Sequence, residues 1–239
     1  MGRLLLLVIL FSGLSFGSTL EHRDIAVYRQ DPIASTDCAQ AIKDVLDTKY
    51  DHVFFINHRT CTASTLRGVD CVVFPGGDGD VDNFDHMLSD RSRVIQKYVA
   101  QGGKYLGICM GAYITSKLYF NILGDTSAEQ YIKRTPSSVH IMRETTTTCR
   151  VEGIDHVVYF YDGPVFERDF DIHNVLATYQ DGSAAAIIKP YHQGRMLCIG
   201  PHFESQRNWY DVKRLRPYWH GGVHHQVLLQ MVDKLMTHY

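Results

Sequence analysis

A cysteine between two glycines is the residue of this chain best placed to do covalent chemistry. Residues 107–111 read Gly-Ile-Cys-Met-Gly, with Cys109 at the centre, and they directly follow the strand-like residues 104–106. A sharp turn from a strand into a helix would expose the thiol at the helix N-terminus, where the helix dipole stabilises a thiolate. The pattern therefore predicts a nucleophile elbow.

A base and the carboxylate that orients it are predicted much later in the chain. Residues 200–204 read Gly-Pro-His-Phe-Glu and follow a second apolar run, residues 196–199. His202 and Glu204 stand two positions apart, so on an extended segment their side chains point the same way. We expect Glu204 to hold one imidazole nitrogen while the other faces Cys109, as in a Cys-His-Glu triad.

Backbone amides near the cysteine are predicted to stabilise a developing oxyanion. The Met110 N–H follows the nucleophile directly, and the Pro-Gly-Gly sequence at residues 75–77 exposes amides at a neighbouring strand end. We therefore predict Met110 and Gly77 as the two donors. The predicted substrate pocket consists of Gly76, Tyr113 and Phe203. No set of residues has convincing metal-ligand spacing, so neither a metal nor a cofactor is predicted.

Short apolar strands alternate with helical patterns in the first half of the chain. The strands are predicted at residues 25–28, 52–56, 71–74 and 104–108, and the helices at 38–46, 90–100 and from about 110, with a short helix or turn at 65–68. Such alternation predicts a parallel α/β sheet, in which functional residues gather at the carboxyl ends of the strands. Gly76, Gly77 and Cys109 stand at those ends.

The second half is β-rich, without helical patterns between the strands. Residues 145–148, 157–161 and 175–179 predict an antiparallel extension of the sheet or a small β layer. A hairpin is predicted from residues 184–189 and 195–199, and its second arm delivers His202. A last helix follows, and residues 19–239 are predicted to form a single domain.

The N-terminus has the pattern of a secretory signal peptide. Arg3 precedes an apolar run at residues 4–11, and a small-residue exit follows at 15–17. The run is shorter than the roughly 20 apolar residues that span a bilayer. We predict that residues 1–18 are cleaved and that the protein is secreted or extracytoplasmic; the alternative is an uncleaved membrane anchor.

Composition limits the classes of partner. The 239 residues are 45% hydrophobic and 21% charged, as in an ordinary globular protein, and the formal net charge is −2. Because the basic residues do not cluster, nucleic-acid binding is not predicted, and we expect a small-molecule or peptide substrate with an amide or ester bond. The oligomeric state is not predicted.

The chain has six cysteines, and an exported protein can join them in disulfides. Cys109 must stay free to act as a nucleophile, and Cys71 and Cys198 lie in apolar strand runs that favour buried thiols. The one bridge that the order of elements suggests is Cys38–Cys61, since both residues follow strands at one edge of the predicted sheet.

These motifs resemble the class I glutamine amidotransferase superfamily, and most closely the amidotransferase-like domain at the N-terminus of certain biotin–protein ligases. The similarity is carried by residues 75–77, 107–113, 179–185 and 200–204, and extends roughly from residue 24 to 236. It implies a flavodoxin-like, mostly parallel sheet flanked by helices, and a Cys-His-Glu triad at Cys109, His202 and Glu204.

Two departures from that family leave the substrate open. Tyr113 stands where true glutaminases usually have a Gln that seats the substrate, and Phe203 stands where the triad motif usually has Pro. We predict a thiol hydrolase or amidohydrolase with doubtful glutaminase activity; the alternative is a catalytically inactive binding module. A peptidase-like relative is disfavoured, because Met110 replaces the His that usually follows the nucleophile there.

Overall fold

The computed structural model describes residues 20–78, 81–167, 171 and 174–237, so the predicted signal peptide lies outside the described residues. The strands are β1 (Glu21–Tyr28), β2 (Tyr50–Ile56), β3 (Cys71–Phe74), β4 (Lys104–Ile108), β5 (Ser127–Gln130), β6 (Thr145–Val151), β7 (Ile154–Phe160), β8 (Pro164–Glu167), β9 (Val175–Tyr179), β10 (Ala184–Tyr191) and β11 (Gly194–Ile199). The α-helices are α1 (Thr36–Leu46), α2 (Val81–Met87), α3 (Ser92–Ala100), α4 (Met110–Tyr113) and α5 (Val223–Met236).

One half of the sheet is parallel, with the order β2-β1-β3-β4-β11. The first four positions have the flavodoxin-like arrangement, in which the chain direction across the sheet changes next to β1. The crevice outside the carboxyl ends of the strands at that point is the usual ligand site of such folds. The predicted α/β fold is therefore confirmed, and its carboxyl edge receives the loops that carry the predicted site.

Burial on both faces explains why the parallel strands are apolar without alternation. All four residues of β3 and all five of β4 are buried. Helices α1 and α5 pack on one face of the sheet, whereas α2 and α3 pack on the other. Helix α1 begins where the Ser35 hydroxyl accepts a hydrogen bond from the Cys38 amide at 3.1 Å, a side-chain N-cap.

The other half of the sheet is antiparallel and continues as β10-β9-β6-β7, with β8 and β5 branching from β10. Strands β10 and β11 form the predicted hairpin, pairing from Ala186 with Ile199 to Tyr191 with Gly194. The predicted antiparallel extension is therefore confirmed and is joined to the parallel half through β11. No helix among the described residues is long and apolar enough to cross a membrane.

Two expectations need correction. All six cysteines are free thiols, so the Cys38–Cys61 bridge does not form, and Cys61 is buried in the core. The helix predicted after the elbow is a single turn of four residues, because the chain leaves it in a series of tight turns after Tyr113.

Candidate active site

Cys109 lies in a strained turn between β4 and α4. Its backbone has φ 51° and ψ −109°, a region that residues other than glycine rarely adopt. The Cys109 amide donates to the Ile199 carbonyl at 2.8 Å, which ties the turn to the end of β11. A Cβ at position 111 would overlap the Phe74 carbonyl, so the α4 turn approaches β3 as closely as only glycine allows. Strain of about 1–3 kcal/mol is typical of such a position and persists only where the surroundings enforce it.

His202 and Glu204 form a buried pair directly beyond β11. The imidazole Nδ1 lies 2.7 Å from Glu204 Oε1, and Glu204 is fully buried. The His202 amide donates to the Tyr159 carbonyl at 2.9 Å, so the antiparallel half of the sheet fixes its backbone. The second carboxylate oxygen, Oε2, is buried and has no hydrogen-bond partner among the described residues.

The imidazole of His202 also reaches Cys109. Both residues line the same cavity and interact electrostatically, while the Cys109 thiol donates to the Tyr161 carbonyl at 3.6 Å. Burial lowers the pKa of His202, but the charges of Glu204 and Cys109 and the hydrogen bond to Glu204 outweigh that effect and raise it well above 6.5. The structure therefore brings together the three residues predicted as a triad, in the order thiol, imidazole, carboxylate.

The two predicted oxyanion donors lie beside the cysteine. Met110 N–H is the first amide of α4 and has no acceptor within the helix. Gly77 lines the same cavity as Cys109. The loop around Gly77 is held in place on both sides, because the Gly76 carbonyl accepts from Ser35 and the Asp78 amide donates to the Pro32 carbonyl.

A cavity of about 410 Å³ opens onto the thiol. Its lining residues are Ser35, Asp37, Cys38, Gly77, Asp78, Cys109, Glu144, Tyr159, Tyr161, His202, Trp209 and Val212. The three predicted pocket residues lie near this cavity but do not line it. Phe203 is fully buried in the core, and the Tyr113 hydroxyl donates to the Asp162 carbonyl at 3.1 Å. Gly76 lies beneath the imidazole, since a Cβ there would be 2.6 Å from His202 Cε1.

Cys38 is a second thiol at the site, and it was not predicted there. A Cβ built on Gly76 would lie 3.2 Å from Cys38 Sγ and 3.5 Å from Cys109 Cβ, so both cysteines flank the same point. Burial raises the pKa of Cys38 to about 11, although the nearby charge of His202 lowers it. A candidate ligand atom of Cys38, one of His202 and one of Glu204 all lie within 4.8 Å of one another.

Two aromatic rings enclose the imidazole, and neither was predicted. The ring centroids of Tyr159 and Trp209 lie 5.8 Å and 5.5 Å from that of His202, both in edge-on geometry. Tyr159 ends a strand of the antiparallel half, and Trp209 lies in a 3₁₀ turn at Arg207–Tyr210. Both residues also line the cavity, so their rings form part of its wall next to the base.

Known proteins with this architecture include amidotransferases. Residues 24–135 match the family model of the N-terminal part of biotin-protein ligases, which includes Cys109 and ends before His202. The structure resembles a glutamine amidotransferase from Thermotoga maritima with a TM-score of 0.62, at 12% identity, covering 91% of this chain and 100% of that one. No curated protein matches the sequence.

Longer enzymes contain the same fold. An exo-beta-1,4-mannosidase from Opitutaceae bacterium strain TAV5 has a TM-score of 0.51 at 12% identity, covering 77% of this chain and 32% of that one. A GH42 beta-galactosidase from G. stearothermophilus has a TM-score of 0.52 at 10% identity, covering 89% of this chain and 30% of that one. The chain thus spans about a third of these glycosidases, and such identities show the fold alone. Residues 24–135 are thus similar to the N-terminal region of biotin-protein ligases, and the fold of the chain is that of glutamine amidotransferase-like proteins.

Proposed function

We propose that the protein is a thiol hydrolase that cleaves an amide or ester through Cys109. The observation that carries this proposal is the thiol of Cys109, on a strained elbow and open to a cavity that His202 also lines, with His202 held from behind by Glu204 at 2.7 Å. A nucleophile, a base in contact with it and a third group that orients the base are the parts that covalent acyl transfer needs.

The reaction would proceed in two stages. The raised pKa of His202 favours transfer of the Cys109 proton to the imidazole before attack, so the sulfur attacks the substrate carbonyl as a thiolate and the oxyanion forms beside the Met110 and Gly77 amides. The protonated imidazole then gives its proton to the leaving amine or alcohol, which leaves a thioester on Cys109. Water, deprotonated by His202, attacks the thioester, and release of the acid restores the thiol.

The cavity wall argues against free glutamine as the substrate. None of the described residues that line it is a lysine or arginine, so an α-carboxylate would meet no side-chain cation there. Asp37, Asp78 and Glu144 contribute carboxylates instead, although Glu144 is paired with Arg214 at 3.1 Å. Tyr113, which occupies the position of the glutamine-seating residue, is bonded to the Asp162 carbonyl. These features support an uncharged or cationic amide or ester.

Thiol alkylation tests the triad without knowledge of the substrate. Iodoacetamide at neutral pH should modify Cys109 first, as located by peptide mass mapping, and His202→Ala should slow that modification by about 100-fold, the lower range of general-base contributions. Cys61→Ala is the matched control, because it removes a buried thiol remote from the cavity. An unchanged Cys109 rate in folded His202→Ala protein would refute the proposal.

The alternative of a catalytically inactive binding module makes a different structural prediction. It requires a cavity closed by the side chains of Tyr113 and Phe203, with His202 turned away from Cys109. Here His202 lines the same cavity as the thiol and neither ring does, which supports the hydrolase. The module would be favoured instead if Cys109 resisted alkylation while the cavity still bound small amides.

We further propose that residues 1–18 direct export and are removed. The support is the charge, apolar run and small-residue exit of the N-terminal sequence. Expression of the full chain in a secreting host, followed by mass analysis of the recovered protein, should show a mature N-terminus near residue 19. A protein that retains Met1 and sediments with membranes would indicate the uncleaved anchor.

A further inference from the structure

The side of His202 that faces Glu204 has the donor atoms of a metal site. A sulfur from Cys38, a ring nitrogen from His202 and a carboxylate oxygen from Glu204 lie within 4.8 Å of one another. These residues come from two separate regions of the chain: the first turn of α1, and residues 202–204 in the turn that follows β11. Thiolate, imidazole and carboxylate together are the ligand set that Zn²⁺ prefers.

The carboxylate supplies a second, independent observation. Glu204 is fully buried, and its Oε2 has no hydrogen-bond partner among the described residues, whereas Oε1 is held by His202 Nδ1 at 2.7 Å. A buried carboxylate oxygen without a donor is costly unless something positive satisfies it. A cation between Cys38, His202 and Glu204 would do so.

We propose that Cys38, His202 and Glu204 form a binding site for a thiophilic divalent cation of the Zn²⁺ class. Tetrahedral zinc with bonds of about 2.0–2.3 Å separates a nitrogen and a sulfur ligand by about 3.5 Å. The Cys38 side chain therefore has to approach by up to about 1.3 Å, and His202 Nδ1 and Glu204 Oε1, 2.7 Å apart, have to separate to about 3.3 Å, both within reach of side-chain rotations. Cys38 and His202 both line the cavity, which gives the ion an entry path. Water or a substrate atom completes the fourth position.

Bound metal would switch the triad off. The ion takes the place of the proton between Nδ1 and Oε1, and that proton moves to Nε2, so the imidazole can no longer accept the Cys109 proton. No oxidation is involved: the Cys38 thiol loses its proton to solvent as the sulfur–metal bond forms. This consequence rests on the proposed function of Cys109, whereas the binding site itself does not.

Cobalt spectroscopy tests the site independently of activity. Co²⁺ added to the reduced protein should produce a thiolate-to-cobalt charge-transfer absorption, and Zn²⁺ should abolish it by competition. The absorption should persist in Cys109→Ser and disappear in Cys38→Ser and Cys38→Ala, with circular dichroism confirming that each variant is folded. Cys61→Ala is the control for loss of a buried thiol and should keep the absorption.

Specific results would overturn the proposal. An absorption that survives in both Cys38 variants but is lost in Cys109→Ser would make Cys109 the sulfur ligand, and no absorption in the folded wild type would mean that the site does not exist. An absorption retained in Cys109→Ser, together with an inert Cys109 in the alkylation assay, would confirm the metal site while refuting the hydrolase.

The proposed inactivation of Cys109 by bound metal is tested by the alkylation rate. Saturating Zn²⁺ should slow alkylation of Cys109 at least tenfold in the wild type, and a chelator should restore the rate. In Cys38→Ser, Zn²⁺ should change the rate less than twofold relative to the same variant without metal. Equal inhibition of wild type and Cys38→Ser would refute metal capture of His202 by this site.

Discussion

The two edges of the parallel half-sheet each have a cavity, and the smaller one is the candidate active site. The amino-edge cavity measures about 620 Å³ and is lined by Ala63, Leu66, Arg67, Gly68, Val69, Asp70, Arg93, Val94, Lys97, Tyr98, Gln101, Gly102, Gly103 and Lys104. The carboxyl-edge cavity measures about 410 Å³ and contains Cys109 and His202. Size therefore does not distinguish the functional site from a surface depression in this fold.

The difference lies in what the chain delivers to each edge. The amino edge collects the ends of helices and the basic side chains that cover them, and none of the described residues that line its cavity is a cysteine or histidine. The carboxyl edge receives the segments that leave β1, β3, β4 and β11, which carry Cys38, Gly76, Cys109 and His202. Parallel strands bring these segments together because they all end on the same side.

The largest effect should come from a single methyl group at the carboxyl edge. Gly76→Ala places Cβ 2.6 Å from His202 Cε1 and should push the imidazole away from Cys109, lowering the Cys109 alkylation rate about 100-fold. Gly103→Ala is the matched control at the amino edge, where Cβ would overlap the Tyr98 ring. Both variants should have a lower free energy of unfolding, but only Gly76→Ala should slow alkylation of Cys109. An equal fall in the alkylation rate of both variants would mean that the two edges do not differ in their effect on the thiol.

Acid should destabilise the protein through a histidine behind the carboxyl edge. His224 Nε2 lies 2.9 Å from the Ser205 carbonyl, one residue from Glu204. Burial, with smaller effects from His225 and His220, lowers the pKa of His224 to about 4, against the raising effects of the Ser205 carbonyl and Glu204.

The sign follows from proton linkage. Between pH 6.5 and 4 the unfolded chain binds a proton at His224 and the folded protein does not. As the pH is lowered through this range, the free energy of unfolding therefore decreases by about 2–3 kcal/mol. His202, whose pKa is raised, stabilises the folded protein fully below pH 6.5, and this contribution is lost as the pH rises through its folded pKa. It therefore does not offset the loss between pH 6.5 and 4. Urea unfolding at pH 7 and pH 5 should show a smaller acid loss in His224→Gln than in the wild type; parallel losses would contradict the assignment.

The triad could be predicted from sequence because each member belongs to a local motif at a strand end. Cys38 was placed after a strand at one edge of the sheet only as a partner of Cys61, and no local motif brings it next to His202. Its place depends on how α1 enters from β1, which is a tertiary property. Tyr159 and Trp209 were missed for a related reason: they come from the antiparallel half and from a 3₁₀ turn, whose register against β11 has no local signal.

Tyr113 is the opposite case, a residue that was predicted at the pocket but does not line the cavity. It follows the elbow by four residues, so it was assigned to the pocket by its resemblance to a substrate-seating residue. The single turn of α4 instead directs its hydroxyl to the Asp162 carbonyl, away from the cavity wall.

Backbone strain at Cys109 should make a glycine variant more stable than an alanine variant, the reverse of the usual order in a helical turn. With φ at 51°, Cys109→Gly should be more stable than Cys109→Ala by about 1 kcal/mol, since only the alanine keeps the strained Cβ. Ala112→Gly is the control in the α4 turn, where glycine should cost about 1 kcal/mol. The urea midpoints of the variants provide the comparison, and an alanine variant as stable as the glycine one would mean that the elbow is unstrained.

The smallest effect should follow from removing charge at the amino edge. Arg93 and Lys97 lie exposed on α3 and line the larger cavity. Because alanine favours helix and neither side chain is buried, Arg93→Ala/Lys97→Ala should change the free energy of unfolding by no more than about 0.5 kcal/mol. The Cys109 alkylation rate should change less than twofold, since the charges lie at the opposite edge and are screened by salt. A larger fall in that rate, measured at physiological ionic strength in folded protein, would show that the amino-edge cavity is coupled to the triad, and the two edges would then have to be treated as one functional unit.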